Sequence, residues 1–160
     1  MSSDFARLAL LAVLGGASLC AYAIEVVSVR TLSGVDVKPG ASTRIAVQVV
    51  VKPGYHVQAN PLDNPSLIPI TLKIDGTDDI LVGEPRYPTA KRLRLAGDDQ
   101  DLLVYDGTFT IVVPLQARRN ATARATITLT GSLRYQACDD SHCLFPVTLP
   151  VLLDVVIQGH

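Results

Sequence analysis

The chain has little net charge, no tryptophan and few aromatic residues, and these absences narrow the classes to which it can belong. Its 160 residues carry 14 Lys and Arg against 15 Asp and Glu, a formal net charge of −1. This balance gives no reason to expect nucleic acid or an acidic surface as a partner. Because the sequence has no tryptophan, the antibody framework of two distant cysteines around a buried Trp is absent as well.

Long apolar runs are also scarce, and the one near the N-terminus has the form of an export signal. Arg7 precedes an apolar stretch over residues 8–14, and residues 21–23 (Ala-Tyr-Ala) have the small-x-small form of a signal-peptidase site. An uncleaved anchor is the alternative, but no stretch approaches the ~20 apolar residues that a spanning helix needs. We therefore predict a signal peptide over residues 1–23, one exported domain over residues 24–160 and no membrane span in the mature chain.

Cysteine is scarce, and signal cleavage leaves the mature chain with one pair, Cys138 and Cys143. Cys20 is expected to leave with the signal, because Leu19 before it fits a lipid-attachment site poorly. A cysteine pair in an exported protein meets oxidising conditions, which favour a disulfide.

The rest of the chain is rich in strand and turn patterns. Ten Pro and eleven Gly stand among many β-branched residues, a composition typical of short strands and turns. Alternating apolar and polar residues predict about seven to nine strands and no helix after the signal. The segment over residues 88–101 keeps no period and is predicted to be a long loop. We predict an all-β fold in which two antiparallel sheets pack as an immunoglobulin-like sandwich.

The cysteine pair lies at the predicted tip of a β-hairpin, with strand-like sequence on both sides. Closing so short a loop stabilises a fold by only ~2 kcal/mol, against ~4–5 kcal/mol for a bridge that spans a domain. A disulfide at a hairpin tip is also accessible to the thiolate of another protein, as exchange requires. The residue types alone leave a structural disulfide and a redox disulfide as open alternatives.

Two histidines add further chemistry near the pair. His142 adjoins Cys143 and would favour its thiolate when protonated, whereas the two aspartates of the tip act against this. Cys138, Cys143, His142 and His56 together offer soft ligands for Cu(I) or Zn. Their spacing fits no standard zinc pattern, so neither a metal nor a cofactor is expected. Hydrolase patterns of Ser-His-acid or Cys-His-Asn type are not recognisable either.

Several motifs occur in the order of one known family. They are residues 53–61 (PGYHVQANP), 67–69 (LIP), 105–107 (YDG) and 135–146 (YQACDDSHCLFP), of which the last is the most specific. In this order they resemble the N-terminal periplasmic domain of the thiol:disulfide interchange protein DsbD, over residues 24–157. The resemblance implies an immunoglobulin-like fold and a periplasmic location.

The resemblance also implies roles for individual residues. Cys143 matches the second cysteine of the family and would form the mixed disulfide with a partner, after which Cys138 would resolve it. Tyr135, His142 and Phe145 would be the binding residues around the pair. Electrons would pass from a thioredoxin-like reductant to periplasmic proteins that carry disulfides.

Two further expectations accompany the resemblance. A cap loop shields the pair in the family, and residues 86–101 are the candidate here. The family protein continues into a membrane conduit and a thioredoxin-like domain that this sequence does not contain, so a separate reductant is expected. The alternative function is a non-catalytic β-sandwich binding or assembly domain whose disulfide is structural.

Overall fold

The computed structural model describes residues 25–31, 34–62, 64–94 and 101–159. The predicted signal peptide over residues 1–23 and residues 95–100 of the cap-loop candidate lie outside these ranges. The described residues form strands and no helix, which confirms the all-β class. None of them forms a helix long and apolar enough to cross a membrane.

The strands of the described residues are numbered in chain order. They are β1 (Val27–Thr31), β2 (Val35–Val37), β3 (Ser42–Val51), β4 (His56–Gln58), β5 (Thr71–Ile74), β6 (Ile80–Val82), β7 (Lys91–Leu93), β8 (Leu102–Asp106), β9 (Thr108–Ala117), β10 (Thr126–Tyr135), β11 (Ala137–Cys138) and β12 (Val147–Ile157).

The strands form three four-stranded sheets, ordered β1-β3-β9-β6, β2-β12-β10-β5 and β11-β4-β8-β7. Neighbouring strands are antiparallel except β2 and β12, which are parallel. The prediction counted two sheets, and the third arises because the chain passes between the first and third sheets at two tight turns. Gly54 follows β3 with φ of 84°, and Gly107 separates β8 from β9 with φ of 58°. Both conformations favour glycine, which has no Cβ to clash.

The core lies between the first two sheets. Alternate residues of β3 are buried, from Ile45 to Val51, and the same alternation buries Leu153 and Val155 on β12. Residues from both sheets belong to one buried apolar cluster. A strand whose apolar residues recur at every second position turns one face to the core, and each buried aliphatic side chain contributes about 1.5–3 kcal/mol.

A long hairpin of β10 and β12 presents the cysteine pair. These strands pair in antiparallel register from Thr126 opposite Val156 to Tyr135 opposite Val147. Beyond Tyr135 the chain continues as β11, which no longer pairs with β12 but with β4 of the third sheet. The strands of the hairpin therefore belong to the second sheet, whereas the third sheet supports its tip.

Candidate functional site

The tip of the hairpin carries a disulfide between Cys138 and Cys143. The two residues face each other as an antiparallel bridge pair, and their Cα atoms are 4.0 Å apart. Backbone hydrogen bonds flank the disulfide on both sides: Asp139 N donates to His142 O at 2.9 Å, and Leu144 N donates to Ala137 O at 2.8 Å. The sulfurs therefore sit on a tight, hydrogen-bonded turn.

Asp139 organises that turn. Its Oδ1 accepts hydrogen bonds from the backbone N–H groups of Ser141 and His142, each at 2.7 Å. An aspartate that binds backbone two residues on is a common way to close a turn. These two hydrogen bonds lower the pKa of Asp139, because they favour the charged carboxylate. The tip is thus held by an ionised side chain at neutral pH.

The two sulfurs differ sharply in their accessibility. Cys138 is 2% exposed, whereas Cys143 is exposed. Cys138 lies on β11 against the third sheet, where the side-chain amide Nε2 of Gln58 is 3.8 Å from its Sγ. An attacking thiolate needs access to the sulfur that it attacks. The geometry therefore leaves Cys143 as the sulfur that another protein can reach.

Two polar residues of β4 are buried beside Cys138. His56 and Gln58 are 5% and 1% exposed, and His56 lies directly opposite Cys138 in the register of β4 and β11. The sequence pointed to His56 only as a distant metal ligand and did not point to Gln58. Polar residues at alternate positions of a strand share one face. The spacing of His56 and Gln58 was therefore the sequence signal that could have placed the two side chains together.

Burial and nearby carboxylates act in opposite directions on His56. Burial lowers the pKa of His56, because it penalises the charged imidazolium, while Asp140, Asp106 and Asp139 raise it by a smaller amount. The net shift is downward, so the imidazole is neutral at neutral pH.

An open cleft of about 300 Å³ runs along the disulfide. Both cysteines line it, together with the loop residues Asn64 and Leu67 and with Leu102 at the start of β8. A second cleft of about 530 Å³ shares those three residues but contains neither sulfur. The smaller cleft contains both sulfurs, so it is the candidate site of thiol-disulfide exchange.

Of the cap-loop candidate, residues 86–94 and residue 101 are described. Lys91–Leu93 form β7, so the segment predicted to be an irregular loop contains a short strand paired with β8. Arg94 Nε donates to Asp101 Oδ1 at 2.8 Å, and Arg92 lies 3.7 Å from the other carboxylate oxygen. The hydrogen bond from Arg94 lowers the pKa of Asp101. These contacts join the two ends of the candidate beside the second cleft, and the cap function itself stays a prediction.

The structure places the three predicted binding residues in different environments. Phe145 is 92% exposed, and Leu144 and Val147 beside it are each 40% exposed, so an apolar patch adjoins Cys143. His142 is exposed on the turn. Tyr135 is buried, and burial raises the pKa of its phenol, so it belongs to the apolar core rather than to the exposed surface of the tip.

The soft-ligand set that the sequence offered as an alternative is not assembled in the part of the chain that the structure describes. No group of three or more His, Cys, Asp and Glu side chains there has an arrangement that could hold a metal ion. The two sulfurs are bonded to each other, so neither offers the thiolate that a soft metal ion binds.

The comparisons with known proteins agree with this geometry. The family model for the thiol:disulfide interchange protein DsbD, N-terminal, matches residues 24–154. The N-terminal periplasmic domain of ScsB from Proteus mirabilis is similar in structure with a TM-score of 0.50 at 14% identity, over 82% of this chain and 45% of that chain. This chain thus spans less than half of that protein.

A second solved structure is the N-terminal domain of DsbD from Neisseria meningitidis in the reduced form. It gives a TM-score of 0.43 at 20% identity, over 76% of this chain and 82% of that chain. No curated protein sequence matches the chain. The fold is of the immunoglobulin-like class that the sequence predicted, and the family model covers most of the chain. The chain belongs to the family of DsbD N-terminal domains.

Proposed function

We propose that this domain is a periplasmic thiol-disulfide exchange module. It relays electrons through Cys138 and Cys143 between a thioredoxin-like reductant and acceptor proteins that carry disulfides. The observation that carries the proposal is the asymmetry of the pair, in which Cys143 is exposed and Cys138 is 2% exposed. Membership of the DsbD family supports the same reaction.

Reduction of the domain begins at the exposed sulfur. A thiolate of the reductant attacks Sγ of Cys143, the Cys138–Cys143 bond breaks, and Cys138 leaves with the electron pair beside the Gln58 amide. A second thiolate of the reductant then attacks its own bonded sulfur and releases Cys143. Two electrons enter the domain, accompanied by two protons.

Delivery of the electrons reverses the order. The Cys143 thiolate attacks a disulfide of the acceptor and forms a mixed disulfide. Cys138 then attacks Sγ of Cys143, which re-forms the internal bridge and frees the reduced acceptor. The two residues are opposite each other in the hairpin, so this closing step requires no large movement of the backbone.

The surface around Cys143 would receive the partners. Phe145 is almost fully exposed, with Leu144 and Val147 beside it, and interface cores are enriched in aromatic residues. His142 supplies a polar rim next to the attacking sulfur. Tyr135 is buried in the apolar core rather than exposed on this surface.

Matched single-cysteine variants test the proposal. Cys138→Ala leaves the exposed sulfur, and Cys143→Ala leaves the buried one. Each is mixed with a thioredoxin that retains only its attacking cysteine, activated as its nitrobenzoate disulfide. We expect Cys138→Ala to form a reductant-sensitive covalent complex at least about tenfold faster than Cys143→Ala, because exchange depends on access. Equal rates for the two variants would contradict the assigned roles. If neither variant forms a complex and the wild-type bridge resists reduction, the structural alternative holds.

A further inference from the structure

Two buried polar atoms beside Cys138 have no hydrogen-bond partner within the described residues. They are Nε2 of His56 and Oε1 of Gln58. An unpaired polar atom in a protein interior is costly, so native structures keep few of them, and those that remain need a specific explanation. The relay as described so far uses neither atom.

Both side chains lie on the same face of the third sheet as the buried sulfur, which belongs to the neighbouring strand β11. His56 and Gln58 are two residues apart on one strand and so share a face. His56 is opposite Cys138 in the strand register, and the Gln58 amide lies 3.8 Å from Cys138 Sγ. All three line the cleft along the disulfide. The side chains that carry the unpaired atoms therefore line the same cleft as the sulfur that must gain or lose a proton.

We propose that His56 accepts the proton of Cys138 during exchange and that Gln58 positions the Cys138 sulfur. This inference rests on the proposed relay and concerns its closing step. Buried Cys138 has little access to water, yet only a thiolate is an effective nucleophile. A neighbouring base can therefore accept the proton that water does not reach.

The closing step then balances without any further reactant. In the mixed disulfide, Cys143 is bonded to the partner sulfur and Cys138 carries S–H. The proton passes from Cys138 to Nε2 of His56, and the resulting thiolate forms the new bond to Cys143 Sγ. The bond to the partner breaks, and the partner sulfur leaves as a thiolate with the electron pair. His56 then returns its proton to that sulfur or to water, and the reverse reaction uses the same proton in the opposite direction.

The charges around His56 suit a proton acceptor. Burial keeps the imidazole neutral and able to accept, because it lowers the pKa of His56. Carboxylates stabilise the imidazolium once it forms. Charged and titratable groups face His56 from three elements. Asp106 of β8 lies opposite it, and Lys91 of β7 is ion-paired with Asp106. The tip contributes Asp139, Asp140, His142 and the two cysteines.

The experiment follows the reaction of the reduced, mature protein with 5,5′-dithiobis(2-nitrobenzoate). Attack by Cys143 releases one coloured thiolate in a bimolecular phase. Closure by Cys138 then releases a second in a first-order phase, so the two steps are resolved in one absorbance trace. The rate of the second phase is recorded from about pH 5 to pH 9, a range that spans the ordinary pKa values of histidine and cysteine.

His56→Gln keeps a polar side chain but removes the titratable base, and Gln58→Leu removes the amide. Gln48→Leu on β3 of the first sheet is the matched control. We expect His56→Gln to slow closure at pH 7 by about a hundredfold or more, the low end of what a positioned base contributes, and to shift the pH–rate profile to higher pH. Gln58→Leu should slow closure at pH 7 and shift the profile in the same direction. Gln48→Leu should leave both phases within about twofold of wild type, as expected for a site outside the network.

Closure that keeps its wild-type rate and pH profile in both His56→Gln and Gln58→Leu would overturn the inference and leave the relay intact. If His56→Gln does not fold by circular dichroism, Gln58→Leu decides alone by the same criterion. If the wild-type protein releases no second thiolate, the relay itself fails and this inference fails with it.

Discussion

Reduction of the Cys138–Cys143 bridge should cost the fold little, and the expected cost follows from its position. The two cysteines are five residues apart in sequence, so the bridge restricts only a short loop of the unfolded chain. The chain-entropy model assigns such a loop about 2 kcal/mol. One fully buried aliphatic side chain contributes about 1.5–3 kcal/mol. The bridge is therefore worth about as much as a single core residue.

One feature of the structure further reduces the stability that the domain loses on reduction of the bridge. Reduction creates two S–H donors in the cleft lined by His56 and Gln58, whose Nε2 and Oε1 atoms have no hydrogen-bond partner among the described residues. Each new hydrogen bond to a buried acceptor offsets part of the lost loop constraint, by about 0.5–1.5 kcal/mol at most. We therefore expect reduction to lower the free energy of unfolding by no more than about 2 kcal/mol and Tm by about 5–10 °C.

Urea unfolding of the mature domain, followed by far-UV circular dichroism with and without a phosphine reductant, measures the difference directly. The same polypeptide is used in both arms, so no cavity is introduced. The slope of the transition should be nearly unchanged, because a short loop hides little surface in the unfolded state. A loss of more than about 4 kcal/mol, or a reduced domain without a cooperative transition, would show that the disulfide is a structural element.

Three further substitutions test the scaffold and the tip. Leu133→Ala, at a fully buried position, should cost about 2–5 kcal/mol in urea unfolding, more than reduction of the bridge; a smaller cost would contradict the placement of the core. Gly131→Ala should lower the free energy of unfolding by about 1–3 kcal/mol, because a Cβ there would overlap the carbonyl oxygen of Lys73. Thr130→Ala, at an exposed position of the same strand, is the control and should change the free energy of unfolding by no more than about 0.5 kcal/mol. The pKa of Asp139 is lowered in the folded protein, so its stabilisation of the tip is present above its ordinary pKa and is lost as the pH falls through the lowered value. Asp139→Asn should therefore speed reduction of the bridge by dithiothreitol at pH 7, and an unchanged rate would show that the carboxylate does not hold the tip.

The long strands of the fold could be predicted from the sequence, whereas the third sheet could not. β3 and β9 run for ten residues each, enough for a clear alternation of apolar and polar positions. β4 and β7 have three residues each and β11 has two. Segments that short carry no readable period, and only their pairing across the fold defines them as strands.

One predicted strand is shorter in the structure for a physical reason. The sequence predicts one continuous strand over residues 80–87, but β6 ends at Val82. Beyond it, Gly83 N still donates to Pro114 O at 2.8 Å, and the chain then meets β9 again at the isolated bridge between Arg86 and Val112. Pro85 lies between the two points and has no backbone N–H to donate to a ladder. The alternation of side chains alone does not reveal that interruption.

The cysteine pair was predictable, but its buried surroundings were not. The motif around Cys138 and Cys143 identified the sulfurs and their family. Gln58 is 80 residues from Cys138 in sequence, and only the register of β4 with β11 brings them together. The same register buries His56 beside the sulfur. Long-range pairing, which one sequence does not reveal, therefore determines which buried polar groups surround Cys138.

The reduction potential of the Cys138–Cys143 bridge is the most direct test of whether the disulfide is the working part of the domain. The mature protein is equilibrated with dithiothreitol buffers of known ratio, and the reduced fraction is counted after alkylation of free thiols. A relay that exchanges with thioredoxin-like proteins should have a potential between about −120 and −270 mV. A value below about −300 mV, typical of structural disulfides in exported proteins, would contradict the relay.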